Sequence, residues 1–107
     1  MSEEPLPAEE SLEAARALVE AGRPFSAHEV LEARWKAGPV EERDLWQGLA
    51  QVCVAMTHAA RGNSVGADRL FDRAAERLAT FAETGRGAYG LDVDAAVERA
   101  RRHVGGF

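Results

Sequence analysis

The run LWQGLAQVCVAM, residues 45–56, constrains the fold more than any other stretch of the chain. Nine of its twelve residues are apolar: Leu45, Trp46, Leu49, Ala50, Val52, Cys53, Val54, Ala55 and Met56. Read as a helix, they cover its whole circumference rather than one stripe. Such a helix cannot lie on a surface and belongs at the centre of a bundle. It is also too short to cross a bilayer, and Gln51 interrupts it. The remaining segments must therefore supply the layers that cover it. With 107 residues in total, the chain forms one domain with a small core. The expected fold is all-α: a single-domain bundle of four to five short helices around a central apolar third helix.

The flanking sequence supports that reading, because no segment shows the alternation of a half-buried strand. Residues 1–7 form a frayed tail kept extended by Pro5 and Pro7, and residues 8–107 form the helical domain. A first helix is expected over Ala8–Ala21, ended by Gly22. A second runs from Ser26 to about Ala37, with Ser26 as cap and Glu29 completing a capping box. Gly38–Pro39 breaks it, and the third helix spans Val40–Arg61. Asn63 or Ser64 caps a fourth helix over Val65–Glu83, with Arg69–Asp72 and Arg73–Glu76 paired on a solvated face. A fifth helix runs from Asp92 or Asp94 to Val104.

A weak internal echo links two of these junctions. AGRPFSAHEVLE and RGNSVGADRLFD align at an offset of 40, with Gly22 on Gly62 and Ala27 on Ala67. Each is helix, glycine turn, helix, with a small residue where the helices cross. The organisation resembles that of helical-repeat proteins.

Composition narrows the function. A net charge of −5, with arginines interleaved among carboxylates, argues against a nucleic-acid binder. The glycine-rich TGRGAYG, residues 84–90, lacks a phosphate-loop lysine and follows no strand, so it does not read as a nucleotide site. The single cysteine, Cys53, rules out an intramolecular disulfide and reads as a buried structural thiol in a cytoplasmic protein. The acidic N-terminus carries no apolar segment of a signal peptide, and no membrane partner is expected. Two Trp residues, Phe25 and Phe107 are more large apolar groups than a thin bundle covers, which points to a homodimer.

The polar residues placed on apolar faces mark the candidate site. At about 100° per residue, His28 and Glu32 lie within about 40° of each other on the face that carries Leu31 and Trp35. Glu29 and Lys36 point away, toward water. On the third helix, Gln47, Gln51, Val54, His58 and Arg61 form one narrow stripe. If the two helices pack antiparallel, the polar groups face each other. Burying them unpaired costs about 1–3 kcal/mol each.

Three readings satisfy that cost. The first is a hydrogen-bond network of His28, Glu32, Gln47, Gln51 and His58 that fixes the packing angle. The second is a metal site in which His28, Glu32 and His58 hold a divalent ion, zinc, manganese or iron. There Glu32 or Glu29 would act as general base; Glu29, on the outer side, is poorly placed, and Glu32 would have to be ligand and base together. The third is a small-molecule cleft, where Gln47, Gln51 and Arg61 orient an acidic or polar ligand beneath Trp35 and Trp46.

The joint presence of H-E-x-x-E-x-x-W, Q-G-x-x-Q and R-G-N-x-x-G-A in this order resembles the family catalogued as domain of unknown function 309, over about Leu18–Leu78. The matching positions are His28, Glu29, Glu32, Trp35, Gln47, Gly48, Gln51, His58, Gly62 and Asn63. The resemblance implies a small all-helical protein, labelled a metal-dependent hydrolase, with no substrate indicated. Where relatives carry adjacent histidines, this chain has Thr57–His58, and a hydroxyl is a poor metal ligand. The resemblance also gives Gly48 the role of admitting a close helix, and Gly62 and Gly66 that of permitting the turn into the fourth helix.

Overall fold

The computed structural model describes residues 6–102, which form five α-helices: α1 (Ala8–Glu20), α2 (Pro24–Ala37), α3 (Arg43–Ala60), α4 (Ser64–Glu83) and α5 (Val93–Arg101). No strand occurs among the described residues. The first five residues of the expected tail, and His103, Val104 and Phe107, lie outside them.

Helix α3 is the spine. It buries Leu45, Trp46, Gly48, Leu49, Ala50, Val52, Cys53 and Ala55, and it packs against α2 on one side and α4 on the other. Its all-round apolarity leaves no face that tolerates water, so both neighbours are obligatory. Cys53 is fully buried, and desolvation pushes its thiol pKa up to about 12, as expected for an inert structural group. Gly48 faces α4 so closely that a Cβ there would sit 2.8 Å from Leu78 Cδ2. The close approach inferred for this glycine is thus made by α4.

The two helical hairpins are copies in detail. Gly22 and Gly62 both take positive φ, 77° and 82°. The Gly22 amide donates to Val19 O, and the Arg23 amide to Leu18 O. Forty residues on, Gly62 donates to Ala59 O and Asn63 to His58 O. The same shift relates the Ala27 and Ala67 amides, which donate to Arg23 O and Asn63 O. Ala27 and Ala67 are both buried at the crossings. This chain therefore stacks α1–α2 on α3–α4, and α5 adds a further helix against α4.

Several boundaries differ from the expected ones. Helix α2 begins at Pro24, two residues before Ser26, because a proline at the first helical position arrives with its φ already set. Ser26 thus lies inside the first turn, Arg23 is the N-cap, and no side chain caps the helix. Val40–Glu42 is a separate 3-10 turn, and α3 starts only at Arg43. Glu42 leaves helical geometry there (φ −104°, ψ 4°). Its carboxylate accepts from Trp46 Nε1 at 3.0 Å and from the Tyr89 hydroxyl, with Arg34 Nη2 at 3.9 Å. That cluster ties α2, α3 and the loop before α5 together.

Asn63 caps α4, its Oδ1 accepting from the Gly66 amide at 3.0 Å, and Asp92 caps α5. Gly66 keeps its ordinary backbone; its service is room, since a Cβ would meet Asn63 Nδ2 at 2.5 Å. The charged face of α4 is used across helices rather than along it. Asp68 and Asp72 receive Arg101 of α5 at 3.5 and 2.6 Å, and Arg77 reaches Asp44 of α3 at 3.2 Å. Helix α5 thus brings its guanidinium to Asp72, the carboxylate that Arg69 was expected to hold.

Candidate functional site

Helix α2 turns Ala27 and Leu31 fully inward. His28, Glu32 and Trp35 follow on the shoulder of that face and are half-buried, so the polar groups border the core rather than enter it. Opposite them, Gln47, Gln51 and Val54 of α3 complete a groove of about 160 Å³. Larger clefts, of about 490 Å³ along α1 and about 540 Å³ beside α4, are open and lined mainly by charged side chains on long flexible stems. Among the described residues three buried polar atoms lack a partner. One is Arg34 Nε; the other two, His28 Nδ1 and Gln51 Oε1, belong to residues lining the smaller groove, which makes it the candidate, with Gln51 shared with the cleft beside α4.

Along α2, three side chains form a ladder at i, i+4 spacing. His28 Nε2 lies 3.2 Å from Glu32 Oε2, and Lys36 Nζ lies 2.9 Å from Glu32 Oε1. The Lys36 hydrogen bond is the largest influence on Glu32 and holds its pKa below the usual 4.5; partial burial opposes this, and the charges of Lys36 and His28 assist it. Lys36 was expected to point away into water. It is exposed, but its stem reaches back along the helix, the favourable Glu-to-Lys order.

Two atoms of this groove are buried without a hydrogen-bond partner: His28 Nδ1 and Gln51 Oε1. In the tautomer that directs Nε2–H at Glu32, His28 offers Nδ1 as an acceptor. Gln51 Oε1 is an acceptor in any case. The groove therefore holds two unpaired acceptors beside a carboxylate.

The structure does not bring every expected residue here. His58 Nδ1 receives Asn63 Nδ2 at 2.9 Å, so both residues serve the α3–α4 turn. Thr57 donates its hydroxyl to Cys53 O at 3.0 Å within α3. Arg61 is exposed and lines a separate shallow depression with Phe25, away from Gln47 and Gln51. Trp46 is wholly buried and spends its N–H on Glu42, so it cannot roof the groove. Glu29 is exposed on the outer side of α2. The expected cleft for an acid held by Arg61 beneath both tryptophans is thereby dismantled. Residues that sequence reasoning passed over are Lys36, whose spacing from Glu32 was a readable signal, and Arg34, Glu42 and Tyr89, whose meeting depends on the tertiary fold.

The donor set decides whether a divalent ion fits. Among the described residues, no three His, Cys, Asp or Glu side chains converge to hold a metal. His28 and Glu32 supply two donors, a lysine ammonium occupies one oxygen of the carboxylate, and His58 is engaged by Asn63. A three-ligand centre of His28, Glu32 and His58 does not fit these residues.

Among the described residues, no helix is long and apolar enough to cross a membrane. No solved structure gives a significant match to the chain. An uncharacterized protein of Bacillus subtilis, YpuF, is 45% identical over 47 residues. The match spans 43% of this chain and only 27% of that protein. The model of the family described as domain of unknown function 309 matches residues 12–70, more than half of the chain, a span that holds both glycine turns and both walls of the groove. The chain belongs to that family.

Proposed function

We propose that this protein is a non-catalytic helical binding module whose recognition site is the groove between α2 and α3. The observation that carries the proposal is the pair of buried acceptors without partners, His28 Nδ1 and Gln51 Oε1, in a groove that also holds Glu32. A network built only to fix packing would satisfy its members, because an unpaired buried polar atom costs about 1–3 kcal/mol. A bound group that donates hydrogen bonds relieves that cost. The stacked hairpins support the same reading, since repeated helical pairs form rigid walls for a partner. A cytoplasmic location suits the free, buried Cys53.

The competing reading is the metal-dependent hydrolase implied by the family label, and the closeness of His28 and Glu32 is what favours it. Metal analysis of untagged protein, with zinc, manganese and ferrous titrations followed by Trp35 fluorescence, separates the two. The binding-module reading predicts no ion bound tighter than about 0.1 mM. Stoichiometric metal that is lost in His28→Ala would reinstate the hydrolase. Self-association is proposed through the turn edge, where Phe25 and Val65 occupy equivalent positions and are 55% and 63% exposed. Sedimentation showing only an 11.6 kDa species at micromolar concentration would remove it.

A further inference from the structure

The second groove of this fold shows what belongs in the first. Helix α4 repeats α2 at an offset of 40, so Asp68 and Asp72 stand where His28 and Glu32 stand. Helix α5 covers α4 much as α3 covers α2, but at an offset of 47. The residues Gln47, Ala50, Gln51 and Val54 that line the first groove correspond to Asp94, Val97, Glu98 and Arg101, all of which line the second. The difference of seven residues is close to two helical turns and preserves the face.

The last of these residues is an arginine; the α4 carboxylates it meets are 72% and 74% exposed and stand outside the groove lining, which α4 supplies through Ala75, Leu78 and Ala79. The Arg101 guanidinium reaches Asp72 at 2.6 Å and Asp68 at 3.5 Å, and it stacks over the Phe71 ring at 5.1 Å from the centroid. In the first groove the counterpart is Val54, which donates nothing. Glu32 there has no partner from α3, and Gln51 Oε1 and His28 Nδ1 remain unpaired. The counterpart of Phe71 is the buried Leu31, and the aromatic side chain that lines the first groove is Trp35, about one turn further along α2.

Resting on the binding-module reading, we infer that the α2–α3 groove is a socket for the guanidinium of an arginine side chain presented by a partner protein. Glu32 supplies the charge, and Gln51, on turning its buried Oε1 out into the groove, accepts one N–H of the planar fork. Trp35, which lines the groove, offers a ring for the guanidinium to stack on. Lys36, exposed and attached by a flexible stem, is the local stand-in that an arriving arginine displaces from Glu32. Arginine is preferred to lysine because a fork reaches Glu32 and Gln51 together, whereas an ammonium is a single point.

The test is a titration of the isotope-labelled full chain with three capped tripeptides, Gly-Arg-Gly, Gly-Lys-Gly and Gly-Glu-Gly, read as amide and side-chain shifts. The arginine peptide should shift the Gln51 side-chain amide and the Trp35 indole, with the lysine peptide weaker and the glutamate peptide silent. Glu32→Gln should weaken the arginine peptide about tenfold. Val54→Arg, which installs an internal guanidinium, should abolish its binding while leaving the circular dichroism unchanged. Equal binding of the lysine peptide would overturn the guanidinium assignment. Shifts at this groove from the glutamate peptide alone would overturn the inference and leave the binding module standing. Silence from all three peptides would overturn both.

Discussion

Helix α3 has two neighbours, and it treats them differently. Toward α4 the backbones press together until only a glycine fits, with Leu78 filling the space a Cβ would take at Gly48. Toward α2 the same helix leaves a groove lined by two glutamines, with one carbonyl oxygen unpaired, whereas the cleft on its α4 side is open and rimmed by charged side chains. A chain that can pack one side to contact had the means to close the other with leucine or valine. The lesson is that the groove is a choice of side chains on one shoulder of α2 and α3, not slack in the fold. Two of the three buried polar atoms without partners among the described residues belong to this groove, and such lapses in local rules are expected at functional sites.

Substitutions on the two faces should therefore have opposite signs. On the α4 face, Gly48→Val forces a branched side chain into Leu78 and should destabilise by about 2–3 kcal/mol, read from the urea midpoint. A loss under about 0.5 kcal/mol would mean that the α3–α4 contact is looser than described. On the α2 face, Gln51→Leu removes a buried unpaired carbonyl and should stabilise by about 1 kcal/mol. If Gln51→Leu instead lowers stability, the oxygen has a partner in solution and the groove is a satisfied network.

Between these faces lies the turn that carries His58. Asn63→Ala should cost about 1 kcal/mol, because it removes the α4 cap together with the His58 contact. Asn63→Asp, which keeps the capping oxygen, should recover most of it, and thermal melts of the pair give the answer.

The smallest effect concerns pH. The depressed pKa of Glu32 means that its pairing with Lys36 contributes stability above the ordinary carboxylate value of 4.5 and loses it as pH falls through the lower, folded value. Because these side chains are 36% and 64% exposed, Glu32→Gln should flatten the acid limb of the stability curve only slightly. An equal change at pH 7 and pH 3 would show that Glu32 gains nothing from its partners.

The fold was readable because it depends on local pattern. The apolar run of α3, the glycine turns and the 40-residue echo all lie in contiguous sequence, and the structure follows them. The start of α2 was misplaced because Ser26 and Glu29 imitate a capping box, while Pro24 begins the helix earlier. The start of α3 was misplaced because Glu42 is claimed by Trp46, Tyr89 and Arg34, a meeting that no window of sequence contains. Helical spacing grouped His28, Glu32, Trp35, Gln47 and Gln51, which line one groove. It also grouped His58 and Arg61 with them, which lie outside that groove, because a shared helical stripe does not reveal where the neighbouring helix stops. Helix α2 begins at Pro24, and past that point the α3 stripe meets a turn instead of a groove wall.

The central claim is that the two helix pairs are one device, with the carboxylate met by Arg101 of α5 in one and by no α3 side chain in the other. A double-mutant cycle between Val54→Arg and Glu32→Gln tests it most directly, with Arg101→Ala and Asp72→Asn as the reference cycle. The account predicts a favourable coupling of about 0.5–1 kcal/mol in both cycles, the size expected of a partly exposed charge pair. A coupling in the Arg101 cycle with none in the Val54 cycle would contradict it.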